Sequence, residues 1–139
     1  MPHFLRSWGP SLLWALVLFL ASSVPDVGGP SWLPLNDKVA HFGLYGVLGA
    51  TLAFGRHDSG SGIGHVWLLG AGLLYGASDE WHQMFVSGRS PEVADWIADA
   101  LGVLVGYGTT WSLLGRTRVE HAASKADDEN VDAPTGDGA

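Results

Sequence analysis

Residues 93–114 read VADWIADALGVLVGYGTTWSLL, and beyond Asp99 no charged side chain follows until Arg116. An α-helix rises ~1.5 Å per residue and the hydrocarbon core of a bilayer is ~30 Å thick, so about 20 apolar residues span it. The stretch is long enough, and it lacks the alternation of apolar and charged faces that marks a helix of a soluble bundle. Three upstream stretches share this character: about Trp8 to Val24 (uncharged from Ser11), Val39 to Phe54, and His65 to about Phe85, apolar as far as Ala77. The first two are slightly short and rely on interfacial flanks. The expected fold is all-α, a membrane bundle of four transmembrane helices.

Composition agrees. Charged residues make up 15 % of the chain, against roughly 25 % in soluble domains. The 20 glycines and 7 tryptophans suit helices packed in lipid with aromatic anchors at the interfaces. With no cysteine, disulfides, thiolate catalysis and Cys-based zinc sites are excluded. The net charge of −7 misleads, because six of the 14 carboxylates lie in the last twenty residues. That segment has no aromatics and too little apolar surface to fold alone. Residues 1–118 are read as the membrane domain and 119–139 as a disordered acidic tail. No basic patch suggests nucleic acid.

Orientation follows from Lys and Arg. Arg6, Arg56, Arg116, Arg118 and Lys125 put five cations on one side, against Lys38 and Arg89 on the other. Both termini are therefore expected in the cytoplasm. Trp8, Trp67 and Trp111 then fall at the inner boundary, and Trp32, Trp81 and Trp96 at the outer. The first segment has a rival reading as a signal peptide, with Arg6, a short apolar core and Ala21-Ser22-Ser23 resembling a cleavage site; removal would leave three spans. Gly72/Gly76, Gly102/Gly106 and Gly43/Gly46/Gly49 place small residues on single helix faces. These faces are expected to pack within the chain, with homo-oligomerisation the rival use.

The polar residues have a pattern of their own. Asp37, Lys38, His41 and Tyr45 open the second span, and Asp37, His41 and Tyr45 share one helix face. Tyr75, Asp79, Glu80, His82 and Gln83 close the third, where Glu80 lies ~22 Å up a helix of ~30 Å. A turn containing Gly88-Arg89-Ser90-Pro91 leads to Asp95 and Asp99; Ser90 is a good N-cap and Pro91 suits the first helical position. All three groups meet near the outer face. Intramembrane charge is costly, so opposite charges at matched depth point to a pocket or an interhelical network.

Asp37-Lys38-x-x-His41-Phe42, Glu80-x-x-Gln83 and Gly88-Arg89-Ser90-x-x-x-x-Asp95, followed by a Gly-rich helix, resemble the VanZ-like family of membrane proteins over residues 37–106. One departure is Asp99, where the resemblance leads one to expect an amide. The family's namesake is associated with resistance to the lipoglycopeptide teicoplanin, without a molecular mechanism attached. The resemblance implies a role in the cell envelope, in a bacterial or archaeal plasma membrane, with the polar site facing outward.

Three functions fit these residues. In the first, Asp37, Lys38, Gln83 and Arg89 bind the head group of a membrane lipid or lipid-linked envelope precursor, Arg89 offering a planar fork to phosphate or carboxylate. In the second, the chain is a membrane enzyme using His41, Glu80 and Asp95 for acid/base hydrolysis or transfer, although no activated Ser or Cys pattern is present. In the third, the residues only bind the helices together, Lys38 or Arg89 neutralising Glu80 or Asp95. Whether the chain is an enzyme is left open. No cofactor is expected, and no metal: Asp37, His41, Glu80 and Asp95 lack a ligand-motif spacing, and Lys38 and Arg89 would oppose an ion.

Overall fold

A computed structural model describes residues 3–25 and 34–131. They form four helices, α1 (His3–Ser22), α2 (Pro34–Ser59), α3 (His65–Gln83) and α4 (Val93–Val131), with no strand among the described residues. The expected all-α bundle is what the chain forms. Trp32 and the end of the expected tail, 132–139, lie outside the described residues.

Helices α2 and α4 make the principal contact, with α1 laid on α2 and α3 on α4. Glycine explains how close the α2–α4 pair comes. A Cβ placed on Gly106 would meet the Gly46 carbonyl oxygen, one on Gly102 the Phe42 carbonyl, and one on Gly49 the Val103 carbonyl. Lipid offers helices no hydrophobic drive to associate, so backbone contact of this kind supplies the attraction. Gly72 and Gly76 of α3 face the Val103 and Asp99 side chains of α4. Gly43 meets nothing, so the third member of its small-residue row is not part of the seam. The residue pairings show α2 and α4 running the same way, with α1 and α3 opposed to them.

The interior and exterior are exchanged relative to a soluble protein. Among the described residues seven hydrophobic side chains are buried against nine polar or charged ones, while Leu13, Val66, Trp67, Leu74 and many other large apolar side chains stand exposed. Apolar exposure on this scale calls for a lipid environment. Two helices, α1 and the Val93–Lys125 part of α4, are long and apolar enough to cross a membrane. In α2 and α3 the charged ends dilute the apolar run.

Three boundaries differ from expectation. The third helix ends at Gln83, after which Met84, Phe85 and Val86 donate to carbonyls three residues back in a tightened turn. Helix α4 starts at Val93, not at Pro91. It also continues to Val131, well into the expected tail, with Ala123, Ser124 and Lys125 exposed; Ala, Glu and Lys favour a helix even where nothing packs on it.

Helix α1 is tied to its neighbours at several levels. The Trp14 indole donates to the Leu44 carbonyl at 2.8 Å, and the Tyr75 hydroxyl of α3 donates to the Ala15 carbonyl at 2.5 Å. At the end expected to be cytoplasmic, Ser7 donates to Asp58 at 2.7 Å and Arg6 pairs with the same carboxylate at 3.2 Å. The Ser7 hydroxyl first, and Arg6 second, hold the Asp58 carboxyl below its ordinary range. Direct α1–α3 contact is sparse, which makes the Tyr75–Ala15 bond important. Tyr75→Phe is expected to destabilise the bundle by about 0.6–1 kcal/mol, read as a lower unfolding midpoint in detergent.

Candidate functional site

Every residue singled out from the sequence lies at one end of the bundle, but the partners are not all the expected ones. The start of α2 supplies Lys38, His41 and Tyr45 on successive turns. The Lys38 ammonium bridges Asp95 of the first turn of α4 at 2.6 Å and Glu92, the residue just before α4, at 2.8 Å. One turn deeper, His41 Nδ1 lies 2.9 Å from Asp99 Oδ1, and Asp37 Oδ1 is 3.9 Å from His41 Nε2. Deeper still, the Tyr45 hydroxyl donates to Asp79 Oδ2 of α3 at 3.0 Å. Three polar links thus descend the α2 face at steps of three and four residues, the spacings that bring side chains onto one face.

Glu80 has a different role from the one expected. No cation neutralises it among the described residues; its Oε2 accepts the Glu92 backbone N–H at 3.0 Å. Glu92 also offers its carbonyl to the first turn of α4, to the Asp95 and Trp96 N–H groups. A carboxylate on the positive end of a helix is favourable, and Glu80 takes the place expected of Ser90. That contact explains why α4 begins at Val93.

Arg89 also departs from expectation. It follows Gly88, whose φ of 79° turns the chain in a conformation that glycine adopts freely. Its Nε donates to the Val24 carbonyl at 3.4 Å, and it pairs with neither Glu80 nor Asp95.

A cavity of about 140 Å³ lies beside this network. Asp37, His41, Tyr45, Asp79, Gln83 and Arg89 line it, together with Leu18, Ala21 and Ser22 of α1. Lys38, Glu80 and Asp95 are not on its wall. Helix α1 had no place in the site as read from sequence, since nothing in its uncharged run marks a pocket wall. His82 meets Ser23, its Nε2 3.0 Å from the hydroxyl.

Asp99 is the residue that sequence reading undervalued. It is 1 % exposed, seated against Gly76, and it holds His41. Its four-residue spacing from Asp95 was the available signal, because it puts both carboxylates on the face turned to α2. Two sets of potential ligand atoms converge here, Asp37–His41–Asp95 and His41–Glu80–Asp99, each within 4.8 Å of one another.

A family model described as VanZ/LLP1 matches residues 12–114. The chain belongs to this family. The match reaches beyond the motifs in α2, α3 and the start of α4 into most of α1 and the apolar length of α4, the same helices that enclose the VanZ-like polar network. No curated protein matches the chain, and no solved structure does.

Proposed function

We propose that this VanZ-like protein binds a single lipid or lipid-linked envelope precursor, with the head group in the polar cavity, as a four-span membrane protein with that site facing outward. One observation carries the reading. An apolar crevice of about 340 Å³, lined by Phe4, Trp8, Leu12 and Ala15 of α1, Leu48 and Leu52 of α2, and Tyr75 of α3, lies on the same three helices as the polar cavity. On each helix the cavity-lining residues continue the crevice-lining ones: Leu18 and Ser22 follow Ala15, Tyr45 and His41 precede Leu48, and Asp79 and Gln83 follow Tyr75. The Tyr45 and Tyr75 rings, 6.3 Å apart, and the Tyr75–Ala15 hydrogen bond lie between the two linings. An apolar crevice and a polar cavity in line along the same helices suit an acyl chain and its head group.

The lining also bears on chemistry. Arg89 can fork onto a phosphate, while Asp37 and Asp79 suit an ammonium, so a head group carrying both charges fits the wall. A volume of about 140 Å³ is below the ~300 Å³ of an ordinary ligand pocket, which limits the occupant to a compact group. Capture of such a lipid in the envelope would alter the access of a lipoglycopeptide to its target.

Native mass spectrometry of the detergent-released protein tests this. Wild type should retain one lipid, and Arg89→Ala should lower its occupancy about tenfold, as for one charge-assisted hydrogen bond. Teicoplanin susceptibility of cells expressing the two forms should separate in parallel. If both release as bare protein where other lipid complexes survive, the reading fails.

A purely structural network is the second reading, favoured by the links that tie α2 to α4 and α3 through Lys38, His41 and Tyr45. It predicts that Arg89→Ala changes nothing.

A further inference from the structure

We propose that His41, Glu80 and Asp99 form a binding site for one divalent metal ion of intermediate hardness, of the Mn²⁺ or Zn²⁺ kind. This inference does not rest on the lipid reading. The three residues come from α2, α3 and α4, and each brings a ligand atom within 4.8 Å of the other two. All are buried, at 8 %, 7 % and 1 % exposure. Exposed acidic clusters are common and mean little; a buried one made from three helices has to be explained.

Unused ligand atoms are the second observation. Each carboxylate has one committed oxygen: Asp99 Oδ1 faces His41, and Glu80 Oε2 accepts the Glu92 N–H. The others, Glu80 Oε1 and Asp99 Oδ2, are buried and have no partner among the described residues. Gln83, 3 % exposed and one turn beyond Glu80, likewise has a buried Nε2 without a partner. Its amide oxygen and nitrogen exchange by a simple flip, so it offers a neutral oxygen donor beside the carboxylates. Buried polar atoms are nearly always satisfied, and an ion is a standard reason for an apparent exception.

Charge points the same way. Four carboxylates are buried among the described residues, Asp79, Glu80, Asp95 and Asp99. Among the described residues one permanent cation, Lys38, is bonded to any of them, and it is spent on Asp95. Asp79, Glu80 and Asp99 are left without a permanent cation in a low-dielectric interior, where a dication would offset two carboxylate charges. One imidazole with carboxylate oxygens suits Mn²⁺, Fe²⁺ or Zn²⁺, and the absence of cysteine excludes thiolate-bound soft metals. The other convergent set, Asp37–His41–Asp95, is a poorer host. Its Asp95 is held by Lys38 at 2.6 Å, and the Asp37 side chain is 61 % exposed.

The test uses tag-free, full-length protein in detergent, stripped with a chelator and titrated with Mn²⁺. Wild type should bind about one ion per chain, with nitrogen coupling from an imidazole in pulsed electron paramagnetic resonance. Glu80→Gln and Asp99→Asn should each weaken binding at least ~10-fold, while Asp58→Asn, at the opposite end of the bundle, leaves it within about twofold. His41→Gln should remove the nitrogen coupling. No ion retained by wild type, an ion without nitrogen coupling, or binding kept in both Glu80→Gln and Asp99→Asn would each overturn the proposal. Should Glu80→Gln fail to fold, Asp99→Asn, whose residue belongs to this set alone, still decides. Mass spectrometry of the same wild-type sample separates the two ideas: a lipid adduct with no metal sinks this site alone, and metal with no lipid leaves it standing.

Discussion

Gly106→Ala is expected to loosen the bundle by about 2–3 kcal/mol, the upper part of the range for an added methyl group in a packed core. The new Cβ would meet the carbonyl oxygen of Gly46, which is backbone and cannot rotate away as a side-chain tip can. Relief requires α2 and α4 to separate, and separation weakens every contact that depends on their approach, including Lys38–Asp95 and His41–Asp99. Gly102→Ala, facing the Phe42 carbonyl, should behave similarly. Gly43→Ala and Gly108→Ala are the controls, since a Cβ at either meets nothing. Ala is the better helix former, so these two should be neutral or slightly stabilising. Unfolding in a denaturing-detergent titration, followed by circular dichroism, gives the comparison. If Gly106→Ala unfolds together with Gly43→Ala, the glycine seam does not hold the helices together.

Lys38→Met should cost about 2 kcal/mol, and adding Asp95→Asn should restore much of the loss. The Asp95 carboxylate is 5 % exposed and depends on the lysine for compensation, whereas the lysine side chain is 38 % exposed. Removing one partner of a fully buried pair typically costs 3–5 kcal/mol; solvent around Lys38 screens the interaction and lowers the expected value. Replacing the methionine's stranded carboxylate neighbour by an amide removes the uncompensated charge. The double variant should therefore lie closer to wild type than the sum of the single changes. Strict additivity in this cycle would mean that the two side chains are not energetically coupled. Arg89→Ala provides a contrast. Arg89 makes no pair with Asp95, so its loss should leave stability nearly unchanged while lowering lipid occupancy.

Both predictions arise from one arrangement. The glycine seam sets the distance and register of α2 against α4, and that register brings Lys38 to Asp95 and His41 to Asp99. A polar network inside an apolar exterior is demanding, because each group must find its partner or remain costly. Glu80 finds a backbone N–H at the start of α4 and so fixes where that helix begins.

Much of this was legible in the sequence for a physical reason. Uncharged runs such as Ser11–Val24 and Ala100–Gly115 identify helices through length and hydropathy, which are local properties. Asp37, His41 and Tyr45 share a face by helical period alone, and clustering of the ionisable residues toward one end follows from the order of the helices. Pairing is not local. Lys38 choosing Asp95 over Glu80, Glu80 capping α4 in place of Ser90, and Asp99 holding His41 each depend on separations set by glycine contacts between helices distant in sequence. The same holds for α1, whose Leu18, Ala21 and Ser22 carry no mark of a cavity wall until α1 lies against α2 and α3. Composition and period determined the helical membrane character and the polar end of this protein. Only close packing decided which charges meet, which carboxylate oxygens are left over, and where the cavity opens.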